Sequence, residues 1–183
     1  ITDMGFETYQ KILAEAMEEL GVETGLTSKN KQDSYVSDCT IETDQLALIP
    51  DSYIDITAEK IRIYKELDSL SSDKELDNMK SRLEDRFGPL PEELSRLFDI
   101  VRIRQLGKNL GFEKTIVKNG VLMAFFISNP LSQYYRSNKF SKVLENVSAH
   151  PNVFEVKQPD GRLRIVVRNV DSLEKAYKIL KML

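Results

Sequence analysis

With one cysteine and one histidine in 183 residues, the chain can build neither an internal disulfide framework nor a Cys/His zinc site. Such sparing thiol usage points to a reducing, cytoplasmic setting. No apolar run approaches the ~18 residues that a membrane-spanning helix needs, and no charged-then-apolar leader with a cleavage site is present. Phosphate loops are missing too. Gly107-Lys108 lacks both the earlier glycine and the following hydroxyl residue of G-x-x-x-x-G-K-[ST], and there is no G-x-G-x-x-G. ATP hydrolysis by this stretch therefore has no basis in its sequence. Internal repeats and low-complexity tracts are absent as well.

What is there suits folded protein. Hydrophobic residues make up 41%, enough for a core, and charged residues of mixed sign make up 30%. The net charge of −3 conceals a split: residues 1–50 carry three Lys/Arg against ten Asp/Glu, and residues 51–183 carry 23 against 19. An acidic first part and a mildly basic second part argue for more than one unit, and against wrapping of nucleic acid by the first.

Phe6, Tyr9, Leu13, Ala16, Met17 and Leu20 recur near helical spacing, predicting an amphipathic helix that Gly21 stops. The polar, aperiodic run "VETGLTSKNKQDSYVSD" over residues 22–38 reads as a linker. Next, "CTIETDQLALI" predicts a strand with Cys39, Ile41 and Thr43 on one side, and Leu46 and Leu48 in the other phase or beyond a bulge. Pro50 ends it in a turn. Thr57 is placed to cap a helix reaching about Leu70. Ser72 and Glu75 form a capping-box pattern for another, whose Leu76, Met79, Leu83 and Phe87 fall on one stripe closed by Gly88. Pro91, Glu92 and Glu93 open "PEELSRLFDIVRIRQLGKNLG", which is apolar on more than one face and predicts a central helix. Two hairpins turn at Asn119-Gly120 and Asp160-Gly161. A helix at about Leu131 to Ser148 lies between them, and another runs from near Ser172 to Leu183. The expected fold is α+β: N-terminal helical segments, then two β-hairpins and two further helices forming a small α/β layer. The order of strands in the sheet is not readable from these runs.

Few residues invite chemistry. His150 sits at a predicted helix end without a partner, where it favours the dipole. Cys39 reads as a half-buried small hydrophobe. Two surfaces remain. Arg96, Arg102, Arg104 and Lys108, followed by Lys114 and Lys118, give the 91–118 region a basic character that would suit an accessory nucleic-acid contact. Yet Arg102 and Arg104 point apart at 100° per residue, and no aromatics interleave them. On the helix from Asp73 to Phe87, Asp77, Arg82, Asp85 and Arg86 lie off the apolar stripe. Periodicity leaves plain solubility and protein docking both open for that face.

The runs "GFETYQKILAEA", "LALIPDSYI", "IRIYKELDSL" and "LEDRFGPLP" resemble, in order and spacing, the end of the motor and the C-terminal domain of the transcription-repair-coupling factors (the Mfd family). The resemblance covers nearly the whole chain and is least distinctive in its last third. It implies that residues 1–21 are the tail helix of a translocase motor, 22–38 a flexible linker and 39–183 a regulatory domain without chemistry or cofactor of its own. ATP and Mg would belong to the parent motor, which would act on DNA and stalled RNA polymerase. The domain would dock on a UvrB-like module of the same protein and hide the surface used by UvrA. Docking residues of the family map onto Asp85 and Arg86. The position three before Asp85, often acidic in the family, is Arg82 here, which leaves the individual ion pairs open.

Overall fold

Ser72 opens a helix as its spacing from Glu75 predicts. Its hydroxyl accepts from the Glu75 N–H at 3.3 Å while the Glu75 carboxylate accepts from the Ser72 N–H at 3.1 Å. The computed structural model describes residues 34–183. The predicted helix from Phe6 to Leu20 and residues 22–33 of the predicted linker lie outside them. The described chain is α+β, with five α-helices and one five-stranded mixed sheet. It divides into two units, Leu46–Val101 and a second that joins residues 34–45 to Arg102–Leu183.

The first unit holds α1 (Thr57–Ser69), α2 (Asp73–Phe87) and the first turns of α3 (Glu92–Leu110). Its core is one cluster in which Tyr64, Leu67, Leu76, Leu94 and Leu97 are fully buried. The predicted α2 stripe is inside, apart from Phe87, which is half-buried. Tyr64 also carries its hydroxyl inward, where it accepts from the Ile49 N–H at 3.0 Å. Thr57 does not cap α1: Ile56 holds the N-cap position and no side-chain cap bond forms there. Helical propagation through Lys60 N–H to Ile56 C=O, 3.1 Å, makes Thr57 the first helical residue instead.

In the second unit the strands are β1 (Thr40–Thr43), β2 (Phe112–Lys118), β3 (Val121–Phe126), β4 (Glu155–Lys157) and β5 (Arg164–Arg168), ordered β1-β2-β3-β5-β4. Asn119 and Gly120 take φ values of 53° and 72°, the left-handed pair that a two-residue hairpin turn requires. The other hairpin is not the tight turn expected: Lys157 pairs with Arg164, and residues 158–163 form a longer loop with a 3₁₀ turn, Pro159–Gly161, in which Asp160 and Gly161 take φ 54° and 76°. β1 is parallel to β2. It is shorter than the predicted strand, because the Gln45 N–H turns back onto the Thr43 hydroxyl at 3.1 Å. Leu46 and Leu48 therefore lie beyond it, in the first unit.

Thr115, Val117, Leu122, Ala124, Phe126, Ile165 and Val167 bury one face of the sheet. Against its edge, Gly107 of α3 comes so near Cys39 that a Cβ would lie 2.7 Å from the thiol sulfur. Cys39 is thus fully buried rather than half-buried. The helix expected from Leu131 is broken: a 3₁₀ turn, Gln133–Arg136, precedes α4 (Asn138–Ala149), whose N-terminus Ser137 caps. Ser172 caps α5 (Leu173–Leu180), which stops three residues before the position predicted. Of the predicted linker, residues 34–38 are described. Val36 is buried and Asp38 pairs with Arg104, Nε to Oδ1 2.7 Å.

Candidate docking surface

The antiparallel course of α1 and α2 sets two rows of exposed charge side by side. Arg82 pairs with Glu66, and Arg86 reaches Glu59 at 2.7 Å. Glu59 also receives Arg62 from its own helix, one turn on. Two of the three residues singled out from the sequence are therefore engaged inside the domain. The side chain of Asp85 is exposed and makes no hydrogen bond or ion pair among the described residues.

The partners of these arginines, Glu59 and Glu66, were not visible as such in the sequence. Their seven-residue separation places them on one face of α1, and Arg82 and Arg86 share a face of α2. Three arginines (Arg62, Arg82, Arg86) share two carboxylates (Glu59, Glu66), and the unpaired carboxylate of Asp85 beside them brings the sum of these six groups to zero. Each exposed pair contributes at most ~1 kcal/mol to the fold, so its main effect is to hold the arginine heads in place.

Below the lattice, the corner after α2 is rigidly built. The Arg86 guanidinium lies 4.7 Å from the Phe87 ring centroid, and Phe87 packs on Tyr53 at 5.7 Å. The Tyr53 hydroxyl spans the carbonyls of Leu83 at 3.1 Å and Gly88 at 2.8 Å. Burial, and next the charge of Glu84, raises the Tyr53 pKa above the ordinary phenol value, so it stays a donor. At the N-cap of α1, Ile56 is 63% exposed and offers an apolar anchor.

The basic residues of the 91–118 region are mostly matched by acceptors. Arg96 binds Glu92 at 2.5 Å and the Leu46 carbonyl at 3.2 Å. Arg104 binds Asp38, and Lys114 and Lys118 share Glu42 at 2.7 and 3.5 Å. Cations already paired in this way have less to offer a phosphate backbone. Burial pushes the Cys39 thiol up to about 11, its 3.6 Å contact with the Thr115 hydroxyl offsetting only part of that, so it is no nucleophile at neutral pH. His150 closes α4, its Nδ1 2.9 Å from the Asn146 carbonyl. Among the described residues no group of three or more His, Cys, Asp or Glu could hold a metal ion, and no helix is long and apolar enough to cross a membrane.

The TRCF domain family matches residues 43–137. Curated relatives include the transcription-repair-coupling factor of Rickettsia conorii, 30% identical over 176 residues, which are 93% of this chain and 14% of that protein. The transcription-repair-coupling factor of Escherichia coli K12 is 34% identical over 113 residues, 61% of this chain and 9% of that protein. The chain thus spans about a seventh of the length of the first of these relatives. A crystal structure of the C-terminal domain of transcription-repair coupling factor superposes with a TM-score of 0.67 at 16% identity, covering 84% of this chain and 92% of that one. That likeness is one of fold.

Proposed function

Because the chain belongs to the TRCF domain family, we propose that it serves as the non-catalytic, regulatory C-terminal domain of a cytoplasmic transcription-repair-coupling factor. The parent protein would be an ATP-dependent DNA translocase that acts on stalled RNA polymerase in nucleotide-excision repair. In this reading, residues 1–21 belong to the motor, and the domain from residue 39 onward docks on a UvrB-like module of the same protein, masking the surface that UvrA uses.

One observation carries the docking part: a neutral, pre-ordered ion lattice on α1 and α2 in which Asp85 alone has no partner. Desolvating the lattice leaves its internal pairs intact, and the unpaired Asp85 carboxylate is the group that a cation of the docking partner would meet. Arg82 and Arg86, each already held by a carboxylate of α1, set the shape of the contact more than its charge.

The test is binding of this chain to the separately expressed UvrB-like module. Asp85→Ala should weaken it by about 2 kcal/mol, roughly thirtyfold, as expected for an ion pair removed from a desolvated contact. In the full-length protein the same change should raise UvrA binding. An unchanged affinity, with an unchanged melting temperature, would place the docking surface elsewhere.

A further inference from the structure

The second face of the sheet takes no part in that reading. Paired residues of neighbouring strands point to the same side, and the register lays three rows across it. Ile116, Met123 and Val166 form an aliphatic row, the first two half-buried and Val166 buried, with Glu42 of β1 and Glu155 of β4 at its ends. To one side run Lys114, Phe125, Arg164 and Lys157, and to the other Lys118, Val121 and Arg168. The ion pairs confirm this placement, since Lys114 and Lys118 meet Glu42 while Arg168 meets Glu155 at 3.1 Å.

Positive charge is in surplus here. Counting Arg162, which pairs with Glu113 at 3.7 Å, five cations share three carboxylates, and Arg164 is a sixth cation beside them. Arg162 and Arg164 both stand over the Phe125 ring, 5.1 and 5.5 Å from its centroid. Arg164 has no carboxylate, and its Nε is the one buried side-chain nitrogen or oxygen among the described residues that lacks a hydrogen-bond partner. A buried guanidinium N–H without an acceptor is costly, and the rest of this half-exposed head is the place where a carboxylate from outside the chain would be gained.

We propose that this face docks an acidic amphipathic helix of a partner protein. Its apolar stripe would lie along the half-buried Ile116 and Met123, above buried Val166, and its flanking carboxylates would meet the cationic rows, one of them at Arg164. Five strands at ~4.8 Å spacing span about 19 Å, the length of three to four helical turns. Each cationic row lies about 6.7 Å from the aliphatic one, two residues along the strand, within reach of Glu side chains on either flank of a helix. Single-stranded nucleic acid fits less well. It would find one aromatic platform, and its phosphates would meet Glu42 and Glu155 at the ends of the central row.

The probe is a synthetic helical peptide of about four turns, Leu on one stripe and Glu on both flanks, titrated near physiological salt into the 183-residue chain with its Ile, Met and Val methyl groups labelled. Saturable binding that shifts the Ile116, Met123 and Val166 methyls is the expected result. Arg164→Glu should weaken it about tenfold or more, and Lys118→Glu, at an exposed position, should do so to a smaller degree should the first variant fold poorly. Asp85→Arg should leave it unchanged, which separates this surface from the α1–α2 lattice. Lack of saturation, shifts confined to other residues, insensitivity to both reversals, or displacement of the peptide by oligo-dT would each overturn the proposal.

Discussion

On α1 and α2 every arginine of the exposed face has a carboxylate beside it, whereas on the second face of the sheet five cations share three carboxylates and Arg164 has none. The two arrangements suit different recognition. A neutral lattice exerts little pull at a distance, so its selectivity rests on fit and on the one unmatched group, Asp85. A cationic surplus draws anionic partners from several ångströms away and loses that pull in salt, because the Debye length is about 8 Å at physiological ionic strength. The contrast extends beneath the surface. The helical unit is held by a single aliphatic and aromatic cluster of consecutive elements. The sheet unit depends on close approaches between residues far apart in the chain.

The largest effect that separates the two units is expected at a pair of glycines, both with positive φ after a helix. Gly111 follows α3 at φ 94°, and a Cβ there would lie 2.2 Å from the Tyr134 ring. Gly88 follows α2 at φ 90° with nothing within 4 Å. Backbone strain applies to both, at about 2 kcal/mol. Overpacking applies to Gly111 only and adds about 2 more. Gly111→Ala should therefore cost about 4 kcal/mol and Gly88→Ala about half of that, read from denaturant midpoints. Equal losses would mean that the Tyr134 ring gives way freely.

A smaller difference is expected at two buried hydroxyls. Tyr64→Phe strands the Ile49 N–H, which has the Tyr64 oxygen as acceptor at 3.0 Å, and should cost about 2 kcal/mol. Thr115→Val removes only a contact with the Cys39 sulfur at 3.6 Å and places a good strand former in β2. Its cost should stay under about 1 kcal/mol. The measurement is again equilibrium unfolding, and a Thr115 loss as large as that of Tyr64 would show that the thiol contact is stronger than its length implies.

What could be read in advance follows the same division. The capping box at Ser72 and Glu75, the Leu76–Met79–Leu83 stripe and the Asn119-Gly120 turn are decided within a few residues, and each is found where predicted. β1 is different. Its partner in β2 lies more than 70 residues away, Thr40 opposite Lys114, and no local pattern announces a parallel pairing. Cys39 misled for that reason, since what buries it is Gly107 and Thr115 rather than its own strand. At the candidate site the helix face was legible from the positions of Arg82, Asp85 and Arg86. The acids that neutralise two of them stand on another helix, where periodicity within α2 carries no information. Arg164 was passed over altogether, because its significance comes from register with Phe125.

The smallest effect concerns two carboxylates, one from each unit, held acidic for different reasons. Glu75 is lowered first by the backbone N–H of Ser71 and then by that of Ser72, with no cation among its causes. Glu155 is lowered first by its hydrogen bond from Arg168, with the charges of Arg168 and Lys157 adding to it. Both therefore favour the folded state above their unfolded pKa near 4.5, and both lose that contribution as the pH falls through the lower folded value. Salt should part them. Dissolved ions screen the charges acting on exposed Glu155, whereas hydrogen bonds from a helix N-terminus act at contact distance and are screened far less. In carboxyl-detected titrations at low and high salt, the Glu155 pKa should rise toward the ordinary glutamate value while that of Glu75 stays depressed. A parallel rise of both would mean that the α2 cap is held by long-range charge, and the distinction between a self-satisfied helical face and a salt-sensitive sheet would lose its electrostatic footing.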